Sequence, residues 1–69
     1  MATVTINGEA VKIEAETTVL ALVAARTGRE QPIGIAVACN GVVLPRSQWA
    51  ARIVQDGDEY ELVGVMQGG

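Results

Sequence analysis

A chain of 69 residues with 49% apolar content and a net charge of −3 makes one small domain held by hydrophobic burial, because its single cysteine closes no internal disulfide and it has no histidine for a common zinc site. The five basic residues, Lys12, Arg26, Arg29, Arg46 and Arg52, are scattered, which argues against the clustered cationic surface that nucleic acids require. No segment approaches the roughly 20 consecutive apolar residues of a membrane span, the start lacks a signal-peptide pattern, and a lone thiol fits a reducing compartment, so a cytoplasmic protein is expected.

Thr3-Val4-Thr5-Ile6 alternates polar and apolar with the period of a half-buried strand. Asn7-Gly8 follows, a pair that favours a type I′ turn because both central positions need positive φ. Val11 and Ile13, separated by Lys12, resume the alternation. The spacing predicts a β-hairpin with Val4, Ile6, Val11 and Ile13 on its inner face. Thr17 or Thr18 then caps a short helix in which Val19, Leu22 and Val23 fall on one side, with Arg26 in the last turn and Gly28 as its terminator. Gln31-Pro32-Ile33-Gly34 reads as a linker. Ile35-Ala36-Val37-Ala38-Cys39 is a continuous apolar run, the pattern of a strand buried on both faces. A second Asn-Gly turn, Asn40-Gly41, leads to the short strand Val42-Val43-Leu44, which Pro45 ends. Ser47 is placed to cap a single turn at Gln48-Trp49-Ala50-Ala51. After the Asp56-Gly57-Asp58 turn, Glu59-Tyr60-Glu61-Leu62-Val63 predicts a last strand with Tyr60 and Leu62 inward and both glutamates outward.

A hairpin, a helix and three further strands allow the first and last strands to pair in parallel at the centre of a mixed sheet of four to five strands, with one helix across one face. The expected fold class is therefore α+β, of the β-grasp (ubiquitin-like) type, over residues 1–63, with residues 64–69 as a flexible tail ending in Gly-Gly.

Catalysis by this chain alone is not expected. Without histidine there is no Ser-His-Asp or Cys-His arrangement. Cys39 ends an apolar run, where a thiol is ordinarily a small core residue. Asp56, Asp58, Glu59 and Glu61 read either as a solvated turn and strand face or as an acidic docking surface for a basic partner. No calcium-loop spacing or phosphate-binding glycine pattern is present, so no metal and no bound cofactor are expected. The tail Gly64-Val65-Met66-Gln67-Gly68-Gly69 reads either as a frayed terminus or as a group presented to an enzyme. Glycine lacks a Cβ, so its carbonyl carbon is unshielded and its backbone fits a narrow channel. A partner that threads Gly68 and Gly69 into its site can activate the carboxylate of Gly69 with ATP, and a sulfur donor can then convert it to a thiocarboxylate.

Over nearly its whole length the chain resembles the ThiS family of sulfur carriers in thiamine (thiazole) biosynthesis. The resemblance is carried by Ile6-Asn7-Gly8-Glu9, the helix, Ile35-Ala36-Val37-Ala38-Cys39-Asn40-Gly41, Val43-Leu44-Pro45-Arg46-Ser47-Gln48-Trp49, Asp56-Gly57-Asp58-Glu59-Tyr60-Glu61-Leu62-Val63 and the final Gly68-Gly69. It departs at Cys39, where the family more often has an aliphatic residue. The resemblance implies that Gly69 is the adenylation and thiocarboxylate site. It also implies that Gly68, Gln67, Met66 and Val65 thread into the partner. The implied partners are a ThiF-like (E1-related) adenylyltransferase that uses ATP, a persulfide source such as a cysteine desulfurase, and a ThiG-like thiazole synthase.

Arg46, Trp49, Asp58 and Glu61 are candidate partner-interface residues; for Trp49 the structural alternative is a cap on the core edge. Two other functions are consistent with the tail. One is a sulfur carrier of the molybdopterin-synthase small-subunit type, although a proline-containing segment before the glycine pair is lacking here. The other is a ubiquitin-like modifier or interaction module.

Overall fold

A computed structural model describes residues 1–28 and 33–64; the predicted linker residues Gln31 and Pro32 and the tail residues Val65 to Gly69 lie outside the described residues. The N-terminal hairpin forms as the alternation predicts, with β1 (Ala2–Ile6) antiparallel to β2 (Glu9–Ile13) and Val4 opposite Val11. Asn7 (φ 52°) and Gly8 (φ 86°) make the left-handed turn between them. A Cβ at Gly8 would meet nothing within 4 Å, so backbone conformation alone asks for glycine there. Val4 and Ile6 are buried, whereas Val11 and Ile13 are half-buried, because among the described residues β2 is an edge strand with no neighbour beyond it.

Helix α1 spans Val19–Thr27. Thr18 caps it, its hydroxyl accepting from the Ala21 amide at 3.1 Å, while the Thr17 hydroxyl instead donates to the Glu14 carbonyl at 2.7 Å. Gly28, at φ 77°, ends the helix and donates its N–H to the Ala24 carbonyl. Two orphan amides of the first turn find carbonyls on a distant segment: Val19 donates to Arg52 and Leu20 to Trp49. This segment begins with a 3-10 turn at Arg46–Gln48. Pro45 occupies its N-cap position and Ser47 lies inside it, so Ser47 is not a cap; the turn starts two residues earlier than the sequence implied.

Strands β3 (Ile35–Cys39), β4 (Val42–Val43) and β5 (Glu59–Gly64) complete a five-stranded sheet of order β2-β1-β5-β3-β4. The first and last strands pair in parallel, Thr5 with Glu59 and Ile6 with Tyr60, and β5 is central. This is the β-grasp arrangement. Two corrections to the sequence reading follow. β3 is buried on one face only: Val37 and Cys39 are buried, but Ala36 is exposed and Ala38 half-exposed. The core cluster lies on the α1 side, and alanine is small enough to sit on the other side without large cost. Also, β5 runs one residue further than predicted, to Gly64, which pairs with Ile35.

The core joins Val4 and Ile6 of β1, Val19, Leu22 and Val23 of α1, Val37 and Cys39 of β3, and Tyr60 of β5, closed by Leu44, Trp49 and Val54. Among the described residues no helix is long and apolar enough to cross a membrane.

Candidate functional site

The alternation of β5 decides what surrounds the exit of the chain. Tyr60 and Leu62 turn toward α1, so Glu59, Glu61 and Val63 face the uncovered side of the sheet. Val63 pairs with Ala36, and Ala38 lies between Glu61 on one side and Val43 on the other. The uncovered face at the end of β5 therefore carries a continuous apolar patch of Val63, Ala36, Ala38 and Val43. Val63 is 58% and Val43 72% exposed, and Glu59 and Glu61 flank the patch. Exposed valines side by side on a chain this small are a surface available for burial against another protein.

Two asparagines hold β5 in place. The Asn40 side-chain oxygen accepts from the Glu59 amide at 2.9 Å, while its backbone N–H donates to the Glu59 carbonyl at 2.7 Å. On the opposite edge, Asn7 Oδ1 accepts from the Leu62 amide at 2.9 Å and Asn7 Nδ2 donates to the Leu62 carbonyl at 3.2 Å. Each asparagine is the first residue of an Asn-Gly turn, and each braces the central strand as well as bending its own hairpin.

Of the residues singled out from sequence, Glu61 is exposed beside the patch and Arg46 is exposed at the 3-10 turn. The Arg46 guanidinium lies over the Trp49 ring, 5.1 Å from its centroid, a cation–π contact. Trp49 and Asp58 are corrected. Trp49 is 1% exposed, with its indole N–H donating to the Leu44 carbonyl at 2.9 Å; it fills the core and offers no surface to a partner. Asp58 is 6% exposed and is no docking carboxylate. Its oxygens accept from the Tyr60 hydroxyl, the Gln55 amide and the Asn40 side chain. Burial pushes the Asp58 carboxyl up, but those three donors and the charge of Arg52 outweigh it and hold the carboxyl below its usual range. Cys39 is buried, as a thiol ending an apolar run is expected to be, its sulfur accepting from Arg52 Nη2 at 3.5 Å. Gly69, Gly68, Gln67, Met66 and Val65 lie outside the described residues.

Sequence reasoning missed the apolar patch and the bracing role of both asparagines. The signal for the patch lies in the Ile35-to-Cys39 run, whose continuous apolar pattern does not distinguish exposed outer alanines from buried ones. An open groove between β2 and α1, lined by Val11, Ile13, Ala21 and Ala25 with Lys12 and Arg26 at its rim, lies on the other side of the sheet from the patch.

Known proteins share the fold and much of the sequence. Residues 4–69 match the model of the ThiS family. The sulfur carrier protein ThiS of Escherichia coli (strain K12) is 48% identical over 40 residues, a stretch that covers 58% of this chain and 61% of that protein. The chain thus spans less than two thirds of that curated relative in the matched stretch. A crystal structure of the thiamine biosynthesis protein ThiS from Geobacter metallireducens superposes with a TM-score of 0.73 at 31% identity, covering 97% of this chain and 99% of that one. A solution structure of a thiamine biosynthesis protein from Geobacter metallireducens gives 0.72 at 30% identity, covering 97% of this chain and 87% of the other. A family match that runs from β1 to the last glycine, on a shared β-grasp body, leaves one assignment: this chain belongs to the ThiS family.

Proposed function

We propose that the chain is a cytoplasmic sulfur carrier of thiamine biosynthesis, a co-substrate of partner enzymes that reacts through the α-carboxylate of Gly69. The observation that carries this reading is the family match extending through Gly68 and Gly69, on a fold whose central strand ends five residues earlier, beside an exposed apolar patch. Five residues span at most about 17 Å when fully extended, enough to reach into a partner's site while the β-grasp body stays docked outside it.

The chemistry follows from the poor leaving group of a carboxylate. In the active site of a ThiF-like enzyme, a carboxylate oxygen of Gly69 attacks the α-phosphorus of ATP, and pyrophosphate leaves. The terminal sulfur of a persulfide then attacks the acyl carbon, and AMP departs. A second thiol attacks the resulting acyl disulfide at the donor's sulfur, leaving a disulfide and freeing the thiocarboxylate. Its sulfur is a softer nucleophile than carboxylate oxygen and is delivered to a ThiG-like thiazole synthase. Acid–base catalysis comes from the partners. The carrier contributes recognition, for which the Val63, Ala36, Ala38 and Val43 patch is the docking surface, with Glu59 and Glu61 matched to a basic rim on the partner.

Incubation with a ThiF-type enzyme, ATP and a sulfur donor, followed by intact-mass measurement, tests the reading. A species heavier by the difference between sulfur and oxygen is expected. Lysine conjugates without that species would overturn the proposal in favour of a modifier.

A further inference from the structure

The side chain of Asn7 continues a ladder that its own backbone abandons. In the parallel pairing of β1 with β5, the Thr5 amide donates to the Asp58 carbonyl and the Asn7 amide to the Tyr60 carbonyl. The next rung would join a further β1 residue to Leu62, but the chain has already entered the left-handed turn at Asn7. The Asn7 carboxamide supplies that rung instead, accepting from Leu62 N–H and donating to Leu62 C=O. An amide side chain has the donor and acceptor of a peptide unit, so it serves as a surrogate backbone. Beyond Leu62, only Val63 and Gly64 remain before β5 ends, and their pairing partners are on β3. Asn7 is thus the last described brace on the β1 edge before the tail.

We infer that Asn7 is a positioning residue for the tail: its grip on Leu62 fixes where and in which direction the chain leaves the sheet, and so where Gly69 arrives in the activating enzyme. This rests on the carrier function proposed above. Misplacing a reacting group by about 1 Å costs on the order of a hundredfold in rate. The docking patch does not include Asn7, so binding and delivery are separable.

Asn7→Gly tolerates the left-handed turn and removes the grip. Asn7→Asp also tolerates the turn, keeps the acceptor for Leu62 N–H, and sets a carboxylate against the Leu62 carbonyl. Both variants of the full chain are titrated against a ThiF-type enzyme with ATP and sulfide, well below their melting temperatures, and AMP formation is followed. The expected result is a fall in kcat of about tenfold or more with KM within about twofold of the parent. In parallel, amide exchange at Leu62 in Asn7→Gly should accelerate at least about tenfold while that at Val4 is unchanged. An unchanged kcat would reduce Asn7 to a hairpin residue and overturn the inference, and a raised KM at constant kcat would do so by making it a contact residue. Unchanged exchange at Leu62 in Asn7→Gly overturns it even in the event that the parent chain itself is never adenylated, the separate outcome that sinks the carrier function.

Discussion

The Tyr60 hydroxyl donates a 2.7 Å hydrogen bond to Oδ2 of Asp58, two residues earlier, and both side chains are buried. Asp58 ties this strand start to the β3–β4 turn through Asn40 and to the preceding loop through Gln55. Burial first, then the hydrogen bond to Asp58, raises the tyrosine above its ordinary value of 10.0. The aspartate lies below its ordinary 3.8.

The signs give stability a plateau with two shoulders. A depressed carboxyl adds stability that is present above its unfolded pKa and is lost as pH falls through the folded value, so stability declines below about pH 4. A raised tyrosine adds stability that is complete below about pH 10 and is lost as pH rises further. The chain has one tyrosine, so Tyr60→Phe isolates the alkaline shoulder. Urea midpoints measured across pH should show that shoulder flattened in the variant and the acid shoulder shallower, since one donor to Asp58 is gone. An alkaline limb identical to the parent's would contradict the pairing.

Trp49 is buried in the core, where its indole N–H donates to the Leu44 carbonyl, so its expected role is stability. Trp49→Ala should cost about 3–5 kcal/mol, as truncation of a large buried aromatic does. Against a total on the order of 3–10 kcal/mol for a domain this size, that leaves the variant at the edge of unfolding. Trp49→Phe keeps most of the packing but leaves the Leu44 carbonyl without its indole donor, at about 1 kcal/mol. Chemical denaturation checks both. Folded Trp49→Phe should accept sulfur as the parent does; lost loading at parental stability would return Trp49 to the interface.

The elements that sequence made legible are those fixed by local chemistry. The two Asn-Gly turns, the Thr18 cap, the Gly28 terminator and the alternation of β1 and β5 each specify their own backbone, and the parallel pairing of first and last strands follows from their order. The missed features depend on tertiary context. Nothing local tells Ala36 and Ala38 whether a second layer covers them, so an exposed apolar face and a doubly buried strand look alike in sequence. Asp58 and Glu61 are equally acidic in sequence, yet one faces Tyr60 in the interior and the other solvent, because β5 turns alternate residues to opposite sides. Trp49 reads as core or as anchor until its indole finds Leu44. The proposed tail chemistry rests on Gly68-Gly69 together with the family match, not on glycine alone.

Cys39 is a packing residue of the core. Cys39→Ala removes a small buried volume and the sulfur that accepts from Arg52, at an expected cost of about 1 kcal/mol. Thiocarboxylate formation, followed by intact mass, should be complete in the variant. A folded Cys39→Ala protein that takes up no sulfur would show that the thiol enters the reaction.

The apolar patch predicts a separation of binding from stability. Val63→Glu and Val43→Glu each place a charge on an exposed position, where substitutions shift stability by about 0.5 kcal/mol or less. In steady-state adenylation each should raise KM by about tenfold or more, because a carboxylate at the centre of an apolar contact is desolvated without a partner. Parental KM in both variants would place the docking surface elsewhere.

Deleting Gly69 should separate chemistry from fold altogether. The described hydrogen bonds and the core cluster end with β5 at Gly64, five residues before the last glycine, so its removal takes away no described contact. The unfolding midpoint should match the parent's within error. Adenylation, read as AMP formation with a ThiF-type enzyme and sulfide, should fall to background. The new terminal carboxylate on Gly68 stops one residue, about 3.5 Å, short of the α-phosphorus of ATP. That distance exceeds what a docked body can recover by adjusting side chains. A midpoint that drops with the deletion would mean that the tail packs on the domain, and full activity in the shortened chain would mean that the reacting carboxylate is not held to a fixed reach.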